Sequence, residues 1–389
     1  MKNWILLLLL YAHLVSAQSR TMRLMTYNLL NYRNVTAQCP AYANSAATKE
    51  ASLDTILAAI SPHIVVFNEV GADPRNGNFL LNHVFNVGGV NHWSRAGYSN
   101  NNSSTLTNVI VYRNDLFQLL GHDILSLDTT GTSLVRVIDV LRFHYLDPSA
   151  YQDSLNFTVI AAHFKAGAGQ LNTSIRALAA AKIQHYLYDY GRDSNVFVMG
   201  DLNIYRSSEP AYQRFFRGKG MRFADPAKAK GDWSDKVAFA GLHTQSTQKW
   251  GLTSCFSSGG LDDRFDHILC TAAAISGDYG VAYSPGSYKA VGNDGLHLNS
   301  AINFGTNSSV TPEVLRSLFR TSDHLPVIAD FVFDPSRLGA GHAVHRSAPN
   351  FPTAIRQPFA LGTELQQYRL RLYTVHGQLV LEKPAYWRM

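Results

Sequence analysis

The feature that most constrains this chain is a repeated junction, in which an apolar, β-branched run ends at once in a carboxylate or an amide. It occurs in MTYN ending at Asn28, in VVFNE ending at Glu69, and in VFVMGDLN, which reaches Asp201 and Asn203. A buried strand that stops on a polar group delivers that group to the rim of its sheet, and strand ends of stacked sheets converge on one mouth. His163 in VIAAHFKAG, Asp266 in DDRFDHIL, and Asp323 and His324 in TSDHLP join the set. Oxygen donors of this kind suit Mg²⁺, Mn²⁺ or Ca²⁺.

The pattern between these points alternates short apolar runs with helical periods. Arg23 to Asn28, Ile64 to Phe67, Val109 to Tyr112, Phe157 to Ala162 and Val196 to Met199 read as strands. Leu53, Ile56, Leu57 and Ile60 share one face of a helix expected over Ala47 to Ile60. Ala179, Ile183, Leu187 and Tyr190 do the same for a helix from Leu171 to Tyr190. Gly88 to Asn108, Arg217 to Thr253 and Gly277 to Thr311 read as long loops, a length usually reserved for function or mobility.

Taken singly, each polar motif has a plain structural reading. Glu69 after a strand is often a cap or turn residue, GDLN can be an Asx turn, and a lone His163 is more often a satisfied core histidine. SDHLP can be a turn ended by its proline. Their occurrence together, in this order, is what points to chemistry.

The set resembles the endonuclease/exonuclease/phosphatase superfamily over roughly Thr21 to Val332. GDxN followed by SDHxP, with an upstream strand ending in glutamate, carries the resemblance. It implies an α/β (α+β) four-layer sandwich, two packed mixed β-sheets flanked by helices. It also implies roles. Glu69 binds a divalent metal with help from Asn28 and Asp323. Asp201 orients or deprotonates the attacking water, and Asn203 holds a phosphate oxygen. His324 contacts the scissile phosphate or acts as general base, Asp266 fixes its tautomer, and His163 donates to the phosphate or the leaving oxygen. Two positions depart from the family pattern: Asn68 replaces the usual Gln before the glutamate, and His267 the common Tyr after Asp266. Neither removes a catalytic atom, but both bear on the substrate.

For that substrate, nucleic acid is the first expectation. Asn28 to Tyr32 is similar to the first-strand motif of secreted bacterial nucleases, and Lys165 beside His163 is placed to meet a backbone phosphate. Trp233 and Trp250 are candidates for base stacking, although aromatics more often pack cores. A sphingomyelinase-type phospholipase is the second reading, with the Trp-bearing loop entering lipid. A non-catalytic binding module is the third, and the retention of every chemical group argues against it.

Composition bounds the rest. With 46% hydrophobic and 16% charged residues the chain is globular rather than disordered or fibrous. Residues 1–17, MKNWILLLLLYAHLVSA, read as a secretory signal peptide, and no later stretch is apolar enough to span a bilayer. The formal net charge of +6 does not belong to the expected catalytic domain, residues 18–335. Residues 336–389 carry seven Lys/Arg against two Glu, and the remainder after the signal balances to about zero. Within that tail, 336–358 reads as a linker and 359–389 as a small β appendage with a hairpin around His376-Gly377. LYTVHGQLV is similar to the C-terminal secretion signals of Bacteroidetes-type bacteria, without their usual final strands, and implies export machinery as a partner. Three cysteines exclude a disulfide framework, leaving Cys255 and Cys270 either paired with each other or free and buried.

Overall fold

The computed structural model of the chain describes residues 19–101, 104–146, 155–191, 193–218, 220–251 and 253–338, with the backbone of 369–373 and 379–384. The expected signal peptide and nearly all of the expected linker lie outside the described residues. Strand β1 (Arg20–Tyr32) leads to helix α1 (Ala46–Ile60) and back to β2 (Ile64–Gly71). A short α2 (Asn76–Leu80) runs on as a π turn over Leu81–Phe85, followed by β3 (Trp93–Arg95) and β4 (Leu106–Arg113). A long ribbon of β5 (Phe117–Leu127) and β6 (Ser133–Tyr145) precedes β7 (Asn156–Ala161), α3 (Gln170–Tyr190), β8 (Val196–Asp201) and α4 (Pro210–Arg217). Next come β9 (Phe223–Ala224), β10 (Asp266–Thr271), α5 (Ala272–Ser276), β11 (Val281–Tyr283) and β12 (Lys289–Ala290). The unit closes with α6 (Pro312–Thr321) and β13 (Val327–Phe333).

These strands form two mixed sheets. The 7-stranded sheet runs β11-β13-β1-β2-β4-β3 with β12 also on β13, and the 6-stranded sheet runs β5-β6-β7-β8-β10-β9. Three apolar layers hold the stack. Phe117, Phe143, Phe157, Phe197, Phe331 and Phe333 fill the space between the sheets. Leu53, Ile56 and Ile60 of α1 and Leu318 of α6 cover the outer face of the first sheet. Ile183 and Leu187 of α3, with Phe215 of α4, cover the second. The expected four-layer sandwich is therefore the observed architecture.

The period-2 rule explains how this core makes a site. Inward-facing positions read Leu24, Thr26, Asn28 on β1 and Ile64, Val66, Asn68 on β2. On β8 they read Phe197, Met199, Asp201, and on antiparallel β10 Cys270, Ile268, Asp266. Every series passes from apolar to polar toward the same end of the sandwich. Register aligns the changes, with Asn28 opposite Asn68 and Asp266 opposite Asp201.

The helices begin slightly before the expected ranges because Ser45 caps α1, accepting from the Thr48 amide, and α3 opens at Gln170. The three expected loops contain structure: β3 and the start of β4 in the first, β9 and a 3-10 turn (Val237–Leu242) in the second, β11 and β12 in the third. Short strands of two or three residues leave too few alternations to read. Cys255 does not pair with Cys270. It bonds Cys39 across 216 positions, while Cys270 is free and packs on β10 in the layer between the sheets. The loop after β1 and the 253–257 loop meet there, with Ser254 donating to the Gln38 carbonyl. Residues 342–389 form a separate compact unit containing an antiparallel pair, β14 (Arg369–Tyr373) and β15 (Leu379–Pro384).

Candidate active site

The polar end of β1 and β2 is built on strained backbone. Leu30, Asn31 and Glu69 have φ of 46°, 53° and 57°, the left-handed region that costs non-glycine residues free energy and recurs at functional sites. The β1–β2 register slips between Asn28 and Tyr32, a bulge that turns the Asn31 amide toward Glu69 Oε2 at 3.1 Å. Two buried side chains hold the bulge. Lys49 Nζ donates to the Leu29 and Leu30 carbonyls at 2.6 and 2.9 Å, and Asn44 Nδ2 donates to those of Leu30 and Asn31 at 3.0 and 2.8 Å. Burial lowers the Lys49 ammonium to about 7 against the pull of Asp323 and Glu69. Sequence reasoning passed over Lys49, although a lysine one helical turn before Leu53 on an apolar stripe is itself a signal.

Glu69, Asp201 and His163 come together with one donor atom each inside 4.8 Å of the others, the cluster that could hold a metal ion. His163 Nε2 lies 3.5 Å from Asp201 Oδ2 and 3.9 Å from Glu69 Oε1. Asn28 spans the two acids, its Nδ2 donating to Glu69 Oε1 at 3.1 Å and Asp201 Oδ2 at 3.0 Å, while its Oδ1 accepts from the Leu30 amide. Asn28 thus spaces the carboxylates through its nitrogen. Burial pushes Asp201 up to about 7; His324 opposes this, Asp266 and Glu69 add to it. Two carboxylates and an imidazole crowded in a largely buried site fit a divalent cation, which would offset that repulsion. Burial, with the Arg136 and His324 charges adding, keeps His163 well below its ordinary value and so neutral, the form that ligates or accepts.

Gly200 is required before Asp201. Its φ is 144°, and an added Cβ would sit 1.8 Å from the Ala162 carbonyl oxygen. Asn203 follows at φ 49°, its amide donating to Asp201 Oδ1 at 3.0 Å and its Nδ2 to the Phe164 carbonyl at 3.3 Å.

Opposite this cluster, His324 Nδ1 lies 2.7 Å from Asp266 Oδ2, and its Nε2 3.9 Å from Asp201 Oδ2. Burial works against the charged ring, but Asp266 and the charges of Asp201 and Asp323 more than offset it and raise His324 well above its ordinary value. Asp266 is the first residue of β10, on the strand face that points into the layer between the sheets.

Asp323 stands apart from the Glu69–His163–Asp201 cluster. Its Oδ2 accepts from Gln245 Nε2 at 3.2 Å and from the Ser257 amide at 3.0 Å, so it fastens the 245–257 loop, while Oδ1 is buried without a partner. Gln245 Nε2 also lies 2.7 Å from His324 Nε2. Arg136 on β6 was missed, since no motif surrounds it. It donates to the Phe164 carbonyl at 3.3 Å and lies in the field of Glu69 and Asp201. Trp233 is fully buried against Arg264 and His267, so it cannot stack a base, whereas Trp250 is 86% exposed. His267 faces outward from β10, and its Nε2 donates to the Arg264 carbonyl at 3.1 Å.

A layered sandwich with carboxylates and imidazoles gathered at one rim of its sheets places the chain among the phosphoester hydrolases. It belongs to the Endonuclease/Exonuclease/phosphatase family, whose model matches residues 25–324. No curated protein sequence matches it. Among solved structures it is similar to an endonuclease/exonuclease/phosphatase family protein from Bacteroides thetaiotaomicron, at 15% identity over 84% of this chain and 100% of that one, TM-score 0.53. It is also similar to a mannosyl-6-phosphatase of the same species, at 14% identity over 80% and 100%, TM-score 0.51. The human Nocturnin catalytic domain matches at 13% identity over 80% and 94%, TM-score 0.50.

Proposed function

We propose that the protein is a secreted, divalent-metal-dependent phosphodiesterase acting on nucleic acid. The observation that supports the chemistry best is the Asp266–His324 pair, at 2.7 Å, facing the Glu69–Asp201–His163 cluster across the Asp201 carboxylate. An ion held by Glu69, beside Asp201, would neutralise charge developing on the phosphoryl oxygens. Asp201 orients and deprotonates the attacking water. His324, oriented by Asp266, contacts the scissile phosphate or acts as general base, and Asn203 and Arg136 add donors beside it. His163 faces the leaving oxygen. Asp323, set beside His324 in the sequence, would add its negative charge to the field around such an ion.

Nucleic acid is supported by local cations, Lys165 beside His163 and Arg136 behind it, and by the exposed Trp250. One observation favours the second reading, a sphingomyelinase-type phospholipase. Val237, Trp250, Leu296 and Phe304 are 78%, 86%, 82% and 74% exposed. They sit on loops tied together on the side of the site that bears Gln245, through Asn299–Asp235, Ile302–Thr247 and His297–Phe304 hydrogen bonds. Such a rim suits a lipid surface. Purified protein would be assayed on plasmid DNA, RNA, sphingomyelin vesicles and bis(4-nitrophenyl) phosphate, with Mg²⁺ or Mn²⁺ and with chelator. Metal-dependent cleavage of DNA or RNA is the expected result. Rapid hydrolysis of vesicles with intact DNA would move the assignment to the phospholipase, and no turnover of any phosphodiester would remove both.

A further inference from the structure

A buried polar chain crosses the layer between the sheets twice and ends on the backbone of Asp201. His122 Nε2 lies 2.9 Å from Asp139 Oδ1 on β6. Asp139 Oδ2 accepts from Asn108 Nδ2 on β4 at 2.9 Å, and Asn108 Oδ1 accepts from Asn68 Nδ2 on β2 at 2.8 Å. Asn68 Oδ1 then accepts from the Asp201 amide at 2.9 Å. Asp139 and Asn68 are fully buried, and Asn108 is nearly so. Side bonds from Asn108 to the Val137 carbonyl and from Asn68 to the Ala162 carbonyl fix the same orientation.

The two ends of this chain are single-signed. An ionised carboxylate only accepts, and a backbone N–H only donates. Between them each asparagine must present nitrogen toward Asp139 and oxygen toward Asp201. Turning either amide around sets donor against donor or acceptor against acceptor in a buried layer. Asn68 also immediately precedes Glu69, so the link that holds the Asp201 amide fixes the spacing of the two carboxylates of the candidate metal cluster.

We propose that Asp139 and Asn108 are positioning residues for the catalytic centre, acting by dictating the orientation of Asn68 and through it the placement of Asp201 and Glu69. Neither touches the site. The kinetic consequence rests on the phosphodiesterase reading, whereas the structural one does not.

The test moves the carboxylate one link along the chain. Asn108→Asp puts two acceptors face to face at Asp139. Deuterium uptake is expected to rise in the segment 198–203 while α1 and α3 keep their protection. Turnover of bis(4-nitrophenyl) phosphate should fall on the order of 10–100-fold in kcat, with KM little changed. Adding Asp139→Asn restores polarity from 139 to 68, because the carboxylate now at position 108 accepts from both neighbouring amides and the amide oxygen at position 139 accepts from His122; only the Val137 carbonyl is left facing an acceptor. The double variant should recover protection and a large part of kcat relative to Asn108→Asp. If Asn108→Asp does not fold, recovery of folded protein in the double variant supports the proposal, and Asn68→Ala, which removes the acceptor without adding charge, should raise uptake at 198–203. A double variant no better than Asn108→Asp, or an Asn108→Asp protein with unchanged uptake, would overturn it. Should the unaltered protein hydrolyse no phosphodiester, the function falls while uptake still decides the positioning role.

Discussion

Glu69 is held at φ 57° with one oxygen on the Asn28 amide and the other on the Asn31 N–H. A strained backbone that aims a carboxylate into a cluster is an arrangement the fold must maintain elsewhere, here through Lys49 and Asn44. Glu69→Gln keeps the shape and removes the charge. It should therefore raise the Mg²⁺ or Mn²⁺ concentration needed for half-maximal rate by at least about tenfold, in line with typical losses at metal sites. A near-normal rate at limiting metal would exclude Glu69 as a ligand. His324 gives a sharper test. Its Nδ1 contact to Asp266 fixes which nitrogen faces Asp201, so the two should act as one unit. His324→Ala should cost roughly 10²–10⁴ in kcat. Because coupled groups are non-additive, Asp266→Asn in that background should cost little more. Multiplied losses in the double variant would show that the two act separately.

Between residues and the whole, the elements carrying the site are fixed by buried ion pairs the motifs did not announce. Arg264, two residues before Asp266, makes a bidentate pair with Asp225 at 2.8 and 2.8 Å, wrapped by Tyr212, Tyr288 and Trp233. Burial works against the Asp225 charge, but Arg264 more than offsets it and lowers Asp225 below its ordinary value. A carboxylate with a lowered folded pKa contributes stability above its unfolded value of about 3.9, and that contribution is lost as pH falls through the folded value. Asp225→Ala leaves the guanidinium buried without a counter-charge and should destabilise by about 3–5 kcal/mol, with a shallower acid transition below pH about 4. Denaturant unfolding at neutral and acid pH measures both; an unchanged midpoint would deny the pair its role. The same scale shows what could be read in advance. Asn28, Glu69, Asp201 and Asp266 were legible because each ends or begins an apolar strand, and the strands themselves were long enough to alternate. His163 and His324 were legible only as part of the ordered set. Arg136, Lys49 and the Asn68–Asn108–Asp139 chain were not, since their significance lies in which strands become neighbours. Registers such as Asp139 opposite Ala161 are set by tertiary pairing, and no local pattern encodes them. The partner of Cys255 was hidden for the same reason, with 216 positions separating it from Cys39.

At the scale of the molecule, charge decides how a polyanion would be met. The formal charge of residues 18–335 balances near zero, while 336–389 hold seven Lys/Arg against two Glu. A neutral catalytic unit has no long-range field to steer DNA, so binding there must rest on a few local contacts. Lys165 stands two residues from His163, half-buried, with its Nζ on the Ala166 carbonyl at 3.0 Å. If it meets one backbone phosphate, Lys165→Ala should lower the salt slope of duplex binding by about 0.9 and weaken all sequences alike. The tail should behave differently. A chain ending at Leu338 retains the family-matched region, 25–324, and every member of the candidate site. It should turn over bis(4-nitrophenyl) phosphate at close to the full-length kcat, while its DNA binding loses whatever part of the salt slope the tail's cations supply. Titrating DNA affinity against salt for the full chain, the shortened chain and Lys165→Ala separates the two sources. A shortened chain that is folded but inactive on the small substrate would show that residues beyond 338 belong to the catalytic unit. A full chain whose affinity for DNA has no salt dependence would remove nucleic acid as the substrate and leave the exposed rim around Trp250 as the better guide.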